Sequence, residues 1–204
     1  MVRHGETVWH AENRYTGTTD VALTARGREQ ARQLGGWAAT AGLSALWSSN
    51  LTRAVETLEP AAEATGLAPQ RDDRLREIAF GDGEGLTGAE MRERFPERYA
   101  AFVQDPVGDH LPGGEDPVRA VERASASLDE IAAAHEGGRV LVVWHSTLMR
   151  MLLCDWLGIP MSEYRRRLPM VRNVGITEVR VAEGRRSLLQ FNTPIEKAIA
   201  EEDR

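Results

Sequence analysis

The chain has 204 residues, of which 42% are hydrophobic and 27% charged, and its formal net charge is −6. This composition is ordinary for a soluble globular protein, and the length predicts one domain over residues 1–204 with a full hydrophobic core. The acidic balance argues against nucleic acid as the main partner, and no apolar stretch approaches the roughly 20 residues that would cross a membrane. The N-terminal residues lack the basic-then-apolar pattern of a secretory signal, so we expect a cytoplasmic protein.

Short apolar runs alternate with helical stretches, which is typical of an α/β fold with a largely parallel sheet. The strand candidates are residues 1–3, 44–47, 140–144, 175–181 and 187–191. The last two flank a Glu-Gly-Arg turn and are expected to form a hairpin. The first is unusually short, because Met1 and Val2 alone precede Arg3, whereas a strand usually has ~5 residues. We therefore expect a truncated first strand that holds the next residue, His4, less firmly than a full strand would.

Periodicity and capping residues predict five helices. They cover residues from about 25 to 41, 51 to 65, 87 to 95, 117 onward and 148 to 157. Thr24 is a candidate N-cap, Thr87 with Glu90 has the spacing of a capping box, and Asp116 precedes an N1 proline. The apolar positions of the first and fourth helices are Ala31, Leu34, Ala38 and Ala41, and Val118, Val121, Ser125, Leu128 and Ile131.

Residues 81–116 are richer in glycine, proline and charge than the rest of the chain. We interpret this stretch as a small helical insertion over the active-site end of the sheet. Residues 193–204 are expected to form a polar tail.

Arg3 and His4 follow the first strand candidate, at the end of a parallel sheet where ligands bind. The arginine should disfavour a protonated imidazole, which leaves a neutral ring nitrogen available as a nucleophile. Its planar guanidinium suits phosphate oxygens, and Thr16 and Gly17 can offer a hydroxyl and a backbone N–H to an anion. Taken alone, however, an Arg-His pair is more often a solvated strand end.

Three further segments place polar side chains at strand ends or helix starts. Arg53 falls in a first helical turn, where the dipole favours an anion, although a single arginine there is more often on the surface. Glu77 precedes an apolar, glycine-rich turn in which a carboxyl group can be desolvated and donate a proton, with Asp82 and Glu84 as close alternatives. His145 occupies a strand-to-helix junction whose free N–H groups form an anion site.

The combination of these segments is far more specific than any single motif. Its residues are Arg3-His4-Gly5-Glu6-Thr7, Asn13, Gly17, Asp20, Leu23-Thr24, Gly27, Ser48-Ser49, Arg53-Ala54, Glu56-Thr57, Arg76-Glu77, Gly81, Glu84-Gly85, Pro112-Gly113-Gly114-Glu115 and His145. In this order, and over nearly the full chain, they resemble the histidine phosphatase superfamily, the phosphoglycerate mutase-like group, in its small phosphatase branch. The resemblance implies a three-layer α/β/α sandwich with a mostly parallel central sheet and the insertion above its active site.

The resemblance also implies roles for five residues. His4 is implied as the nucleophile that becomes phosphohistidine, Glu77 as the general acid and base, and Arg3, Arg53 and His145 as the phosphate pocket. Phosphoryl transfer is mostly positioning and charge stabilisation, so we expect these groups to act without a metal ion or a cofactor. The implied partner is a small-molecule phosphomonoester, and because family members are often dimers a homodimer is one expectation.

Some positions depart from the family pattern around the site. His10 stands where many relatives have asparagine. One alternative is that its side chain caps a backbone group or points to solvent, and the other is that it contacts the substrate. Trp144 either walls the pocket or packs beneath it. Ser146 adds a hydroxyl where relatives have glycine, and it joins His10, Thr16 and Gly17 as a candidate substrate contact.

Three functions stay open on these grounds. Hydrolysis of a small phosphorylated metabolite is favoured, because the span from Glu77 to His145 is short, as in the smaller phosphatase members. Phosphoglycerate mutase-type phosphoryl transfer is expected of longer chains with an extended insertion. A non-catalytic phosphate-binding role ranks lowest, since all five implied positions are filled.

Overall fold

The computed structural model describes residues 1–195, so residues 196–204 of the predicted polar tail lie outside the described part of the chain. Within residues 1–195, a six-stranded sheet lies between two helical layers, which confirms the predicted α/β/α architecture. In the same range, no helix is long and apolar enough to cross a membrane.

The sheet is mostly parallel. Its strands are β1 (Val2–Arg3), β2 (Ala45–Ser49), β3 (Pro69–Asp72), β4 (Val140–Trp144), β5 (Ile176–Ala182) and β6 (Arg185–Thr193). Their order is β3-β2-β4-β1-β5-β6, in which the first four run parallel and the hairpin of β5 and β6 is antiparallel. The sequence does not predict β3, because this edge strand is polar and largely exposed and so carries no apolar pattern.

All five predicted helices are present, but several of their ends differ from the prediction. The helices are α1 (Ala25–Ala38), α2 (Thr52–Thr65), α3 (Gly88–Arg94), α4 (Pro96–Gln104), α5 (Pro117–Ala134), α6 (Ser146–Trp156) and α7 (Tyr164–Arg167). The sequence does not predict α4 and α7, and α6 begins two residues earlier than expected. The proline that ends α3 also begins α4, since proline is well suited to the first position of a helix.

The predicted caps are confirmed. Thr24 accepts a hydrogen bond from the Gly27 N–H, the capping box of Thr87 and Glu90 is present, and Asp116 caps α5. The predicted apolar face of α1 is buried, and Val121, Leu128 and Ile131 of the face predicted for α5 are buried as well. Val118 is 42% exposed, so the assignment of this one residue to the buried face is wrong. The buried face of α5 is rotated toward Pro117, Ala120, Ala124 and Ser127, small residues that let the helix lie close to its neighbours.

Side chains of β4 alternate between the two helical layers, as the two-residue period of a strand requires. Leu141 and Val143 pack into the cluster that contains the buried faces of α1 and α2. Val142 and Trp144 pack into the cluster that contains α5, α6 and the insertion. The strand is therefore buried on both faces, which explains its continuous apolar sequence.

The insertion supports the loop that follows β1. The Gly85 N–H donates to the Tyr15 carbonyl over 2.8 Å, and the Tyr15 N–H donates to the Leu86 carbonyl over 2.9 Å. The Phe102 ring of α4 contacts the Tyr15 ring with centroids 5.8 Å apart. The helical insertion thus packs beside the active-site end of the sheet.

The first strand is as short as predicted. It pairs with β4 at Val143 and Trp144 and with β5 at Ile176. A cavity of about 960 Å³ opens between the rest of β4 and β5. The Met1 amine lies there and donates to the Thr177 carbonyl over 2.9 Å, and burial lowers the pKa of this amine to about 5.

Candidate active site

Two predicted site residues and Ser49 come from three neighbouring strand ends. His4 follows β1, His145 follows β4 and Ser49 ends β2, and these strands are adjacent and parallel. In such sheets the carboxyl ends of the strands form one edge, where ligands bind. The His4 and His145 rings accordingly lie with centroids 5.3 Å apart.

His4 is held with one ring nitrogen available. Its Nδ1 lies 2.7 Å from the Gly5 carbonyl oxygen. Because a carbonyl can only accept, the ring proton sits on Nδ1 and the lone pair is on Nε2. The backbone is held as well, since the His4 N–H donates to the Trp144 carbonyl over 3.0 Å and the Asn173 side chain donates to the His4 carbonyl over 2.8 Å.

The His4 imidazole is neutral at ordinary pH. The residue is 5% exposed. Burial, followed by the charges of Arg53 and Arg3, lowers the pKa of His4 well below its usual range. This is the electrostatic effect that the sequence predicts for an arginine next to a histidine, with burial as the larger cause.

Arg3 and Arg53 are both anchored through their terminal nitrogens. Arg3 donates to the Val171 carbonyl over 2.8 Å, and its second terminal nitrogen lies 2.7 Å from His10 Nε2. Arg53 donates to the Thr19 carbonyl over 2.9 Å and to the Gly17 carbonyl over 2.6 Å. Within residues 1–195, the Nε atom of each guanidinium is buried without a hydrogen-bond partner.

Arg53 is not a surface residue. Its exposed fraction is 0%, and burial lowers the pKa of its guanidinium, an effect that the nearby carboxylates of Glu77 and Glu84 oppose. The alternative that the sequence left open, an exposed arginine, is therefore wrong. Among residues 1–195 Arg53 makes no direct ion pair, and the carboxylates of Glu77 and Glu84 act on its charge from a distance.

His145 is fully buried, and one of its two ring nitrogens has no hydrogen-bond partner within residues 1–195. Its Nε2 lies 2.8 Å from the Ser49 hydroxyl oxygen, while its Nδ1 is buried and has no partner within residues 1–195. Burial, then the charges of Arg53 and His4, lowers the pKa of His145 well below its usual range. The ring is therefore neutral, with one nitrogen paired and one unpaired.

Glu77 faces the first turn of α6. Its Oε1 accepts the N–H groups of Ile78 over 3.0 Å and Leu148 over 2.9 Å, and its Oε2 accepts the Thr147 N–H over 2.9 Å. The free N–H groups that the sequence assigns to an anion at this helix start thus hold a carboxylate of the protein. Oε2 accepts a single N–H, so a second acceptor position of this oxygen is open.

The two alternatives to Glu77 are placed differently. Glu84 accepts the N–H groups of Gly17 over 2.9 Å and Thr19 over 3.0 Å, so its carboxylate shapes the loop that anchors Arg53. Asp82 is exposed. Of the three carboxylates, Glu77 is the one that lines the cleft beside His4.

This cleft has a volume of about 270 Å³. Six predicted residues line it: Arg3, His4, His10, Thr16, Glu77 and Ser146. Arg53 and His145 lie outside the lining, buried next to it. No residue from the insertion between 81 and 116 lines the cleft in the described part of the chain, so the insertion acts on it through Tyr15 and Phe80.

Two expectations about this site are corrected, those for Gly17 and Thr16, and the structure decides between the two alternatives left open for Trp144. The Gly17 N–H is not available to an anion, because it donates to Glu84, and Gly17 contributes its carbonyl to Arg53 instead. Trp144 is 0% exposed and packs in the core beneath the site rather than walling the cleft. The Thr16 hydroxyl donates to the Arg14 carbonyl over 3.0 Å, which turns its proton away from the cleft.

His10 lies in the cleft, next to His4 and in contact with Arg3. The His4 and His10 ring centroids are 5.9 Å apart and their planes are nearly perpendicular. Burial and the charge of Arg3 lower the pKa of His10 to about 4. The alternative of a solvent-facing His10 is therefore wrong. The capping alternative is observed, because the Thr7 N–H donates to His10 Nδ1 over 3.0 Å, while His10 Nε2 lies 2.7 Å from the Arg3 guanidinium.

Sequence reasoning missed a second set of cleft residues. These are Arg150, Tyr164, Arg165, Pro169, Met170 and Val171. Arg150 carries a signal that could have identified it, because it follows Ser146 by four residues and so shares its face of α6. The others come from a short helix and an irregular segment after it, which show no periodic pattern.

The fold brings the paired histidines and arginines to one edge of the sheet, and comparison with known proteins identifies the family. The model of the histidine phosphatase superfamily (branch 1) matches residues 1–194, so the chain belongs to that superfamily.

Similar proteins in this superfamily include phosphatases and mutase-like proteins. Phosphoserine phosphatase 1 of Hydrogenobacter thermophilus is 33% identical over 164 residues, which are 80% of this chain and 78% of that protein. Probable phosphoglycerate mutase GpmB of Citrobacter koseri is 36% identical over 180 residues, 88% of this chain and 82% of that one. The solved structure of Bacillus stearothermophilus YhfR superposes with a TM-score of 0.88 at 31% identity and covers 95% of each chain.

Proposed function

We propose that this protein is a phosphomonoesterase that hydrolyses a small phosphorylated metabolite through a phosphohistidine on His4. One observation carries the proposal. Three buried nitrogen atoms around His4 have no partner among residues 1–195: Nε of Arg3, Nε of Arg53 and Nδ1 of His145. Buried polar groups are nearly always paired, and leaving one unpaired costs about 1–3 kcal/mol. A phosphoryl group at His4 would accept hydrogen bonds from all three.

The first step of the proposed reaction is attack by His4 on the phosphorus atom. Nε2 holds a lone pair because the ring proton is on Nδ1, which donates to the Gly5 carbonyl, and the lowered pKa of His4 keeps that lone pair free of a proton. A bond forms between Nε2 and phosphorus while the bond to the leaving oxygen breaks. Glu77 enters this step protonated on Oε2. Its proton moves to the leaving oxygen, so the product alcohol leaves as a neutral molecule and Glu77 becomes a carboxylate.

The second step returns both groups to their initial state. The Glu77 carboxylate takes a proton from a water molecule, whose oxygen attacks the phosphohistidine. The bond from Nε2 to phosphorus breaks, and inorganic phosphate leaves. Arg3, Arg53 and the Nδ1–H of His145 stabilise the charge on the phosphoryl oxygens in both steps, which is the main contribution that a protein makes to phosphoryl transfer.

A phosphoglycerate mutase reaction is the second candidate, and the similarity to GpmB favours it. A mutase returns the phosphoryl group to a second hydroxyl of the substrate and keeps water from the phosphohistidine. Incubation with 3-phosphoglycerate separates the two functions, because the phosphatase releases inorganic phosphate. Formation of 2-phosphoglycerate faster than phosphate release would replace our proposal with the mutase.

The enzyme proposal is tested with an aryl phosphate. We expect wild-type protein to release phosphate and His4→Ala to release none above the uncatalysed rate, while Arg26→Ala, a substitution at a surface position that is 76% exposed, acts as wild type. Equal rates for wild type and His4→Ala would reject the enzyme and leave a phosphate-binding protein, which phosphate binding by calorimetry would then detect.

A further inference from the structure

Glu77 lies in a segment that forms neither a helix nor a strand. Residues 76–80 connect two short 3₁₀ helices, Asp73–Leu75 and Gly81–Gly83. Two N–H groups of α6 fix the Glu77 carboxylate, but an irregular segment has no ladder of backbone hydrogen bonds to fix its path. The carbonyl groups at and before Glu77 are bound by a side chain instead.

That side chain is Arg123, which reaches the segment from α5. Its Nη1 donates to the Arg74 carbonyl over 2.5 Å and to the Arg76 carbonyl over 2.9 Å, and its Nη2 lies 3.4 Å from the Glu77 carbonyl oxygen. One guanidinium thus contacts the carbonyl groups of residues 74, 76 and 77. The Arg123 side chain is 13% exposed, so water competes little for these bonds.

Glu115 fixes the direction of this guanidinium. Its Oε1 accepts from Arg123 Nε over 2.7 Å and its Oε2 accepts from Nη2 over 2.8 Å, the paired geometry that a planar guanidinium makes with a carboxylate. The Glu115 N–H also donates to the Ala79 carbonyl over 2.9 Å. Burial acts to raise the pKa of Glu115, but the hydrogen bonds and charge of Arg123 outweigh it and lower that pKa, so the pair stays ionised.

Neither residue touches the reacting groups. Arg123 and Glu115 do not line the cleft, and Glu115 closes the motif of residues 112–115, for which the proposed reaction has no role. Their contacts with this segment hold its backbone on both sides of Glu77. A shift of that backbone would move Glu77 Oε2 relative to the leaving oxygen, and proton transfer requires the two heavy atoms to lie within about 2.6–3.2 Å of each other.

We propose that Arg123, oriented by Glu115, is a positioning residue for Glu77, and that it holds the backbone so that Oε2 reaches the oxygen that leaves phosphorus. The inference rests on the proposed function, in which Glu77 gives its proton to that oxygen in the first step. It predicts a selective defect. Loss of the Arg123 contacts should slow the departure of an oxygen that needs a proton and spare the departure of one that needs none.

The test compares two aryl phosphates that differ in their leaving group. Phenyl phosphate releases a weakly acidic phenol, whose oxygen needs a proton as it leaves, whereas 2,4-dinitrophenyl phosphate releases a stable phenolate. We would measure kcat/KM for both, because it includes formation of the phosphohistidine and excludes its hydrolysis, which is common to the two esters. Glu77→Gln is the reference variant, and it should lower kcat/KM for phenyl phosphate by about 10²–10⁴-fold, the usual contribution of a general acid, and for the dinitrophenyl ester by less than about threefold.

Arg123→Gln should show the same selectivity. We expect a loss of about tenfold to a hundredfold for phenyl phosphate, which is what a small misplacement of a catalytic group costs, and of less than about threefold for the dinitrophenyl ester. Arg123→Lys keeps the charge without the planar fork and should recover part of the loss. Added to Glu77→Gln, Arg123→Gln should cause no further loss, because the effects of two residues that act through one group are not additive.

Glu130→Gln is the matched control. Glu130 lies on the same helix as Arg123, and its Oε2 pairs with the Arg74 side chain over 2.6 Å, but it is 65% exposed and bonds to a side chain rather than to the backbone. This variant should keep both values of kcat/KM. If Arg123→Gln does not fold, Glu115→Gln gives the same comparison, because it leaves Arg123 in place and removes the charge that orients it.

Several results would overturn the inference. They are an equal loss for the two esters in Arg123→Gln and Glu115→Gln, wild-type rates in Arg123→Gln, and a further loss when Arg123→Gln is added to Glu77→Gln. Failure of both Arg123→Gln and Glu115→Gln to fold would assign the pair to stability instead. Failure of the proposed function would look different, because His4→Ala would then hydrolyse both esters as fast as wild type, or Glu77→Gln itself would lack the selective loss.

Discussion

Ser49 should set the position of the proton on His145. The Leu51 N–H donates to the Ser49 hydroxyl oxygen over 3.2 Å, which leaves the hydroxyl proton free to be donated to His145 Nε2, 2.8 Å away. A ring nitrogen that accepts carries no proton, so the single proton of the neutral ring lies on Nδ1. We infer that Ser49 thereby presents the Nδ1–H of His145 to the phosphoryl group.

Ser49→Ala removes this constraint. Two buried groups, the Leu51 N–H and His145 Nε2, lose their partner, at a cost of about 1–3 kcal/mol of stability, which for a chain of this size is a fall in melting temperature of roughly 2–12 °C. The proton of His145 can then move to Nε2, and Nδ1 no longer donates in the transition state. Loss of one such donor typically lowers kcat by about 10²–10³-fold, and we expect about tenfold to a hundredfold here because the correct tautomer stays populated.

Steady-state kinetics with an aryl phosphate, at a temperature where both proteins are folded, measures this effect. Ser49→Thr keeps a hydroxyl at the same position and should recover most of the lost kcat. Ser48→Ala removes a hydroxyl from the preceding residue, on the opposite face of β2, and should retain wild-type kcat. If kcat of Ser49→Ala stays within twofold of wild type while its stability falls, the serine is structural and the proposed tautomer control is wrong.

Three further predictions follow from the site and the sheet. Arg53→Lys cannot reproduce the hydrogen bonds of the buried guanidinium and should lower kcat/KM for an aryl phosphate by at least about a hundredfold. Arg26→Lys is the control at an exposed position, and a similar loss of kcat/KM in this variant would show that the effect does not come from the site. In the folded state the pKa values of His4 and His10 are lowered, to about 4 for His10. Below the unfolded histidine pKa of about 6.5 the unfolded chain therefore binds more protons than the folded protein, and the melting temperature should fall between pH 7 and pH 5. A constant melting temperature over this range would contradict the lowered pKa values. Fusion of about five β-branched residues before Met1 should fill the cavity between β4 and β5 and raise the melting temperature by several degrees, while a Gly-Ser extension of equal length should not.

Local signals in the sequence predict the fold well where the structure depends on nearby residues. The caps at Thr24, Thr87 and Asp116 are confirmed because each cap bonds to an N–H two or three residues away. The central strands are recognisable because both of their faces are buried. Strand β3 is not recognisable, since its four polar residues become a strand through pairing with β2.

The site is less predictable because its contacts join distant parts of the chain. The sequence assigns the Gly17 N–H to a bound anion, yet this N–H donates to a carboxylate 67 residues later in the chain. Packing against a distant helix requires a glycine at position 5, because a Cβ there would lie 2.6 Å from the Gly27 carbonyl oxygen. Arg150 and Arg165 reach the cleft from segments far along the chain, so their place in its lining is visible only in three dimensions.

The covalent intermediate on His4 is the central claim, and trapping it is the most direct test. Wild-type protein is mixed with substrate, quenched with alkali within the first turnover, digested and analysed by mass spectrometry. Our account predicts one added phosphoryl group, stable to alkali and labile to acid, on the peptide that contains His4, and its absence in His4→Ala. Phosphate release without any modified peptide, or a phosphoryl group on another residue, would contradict it.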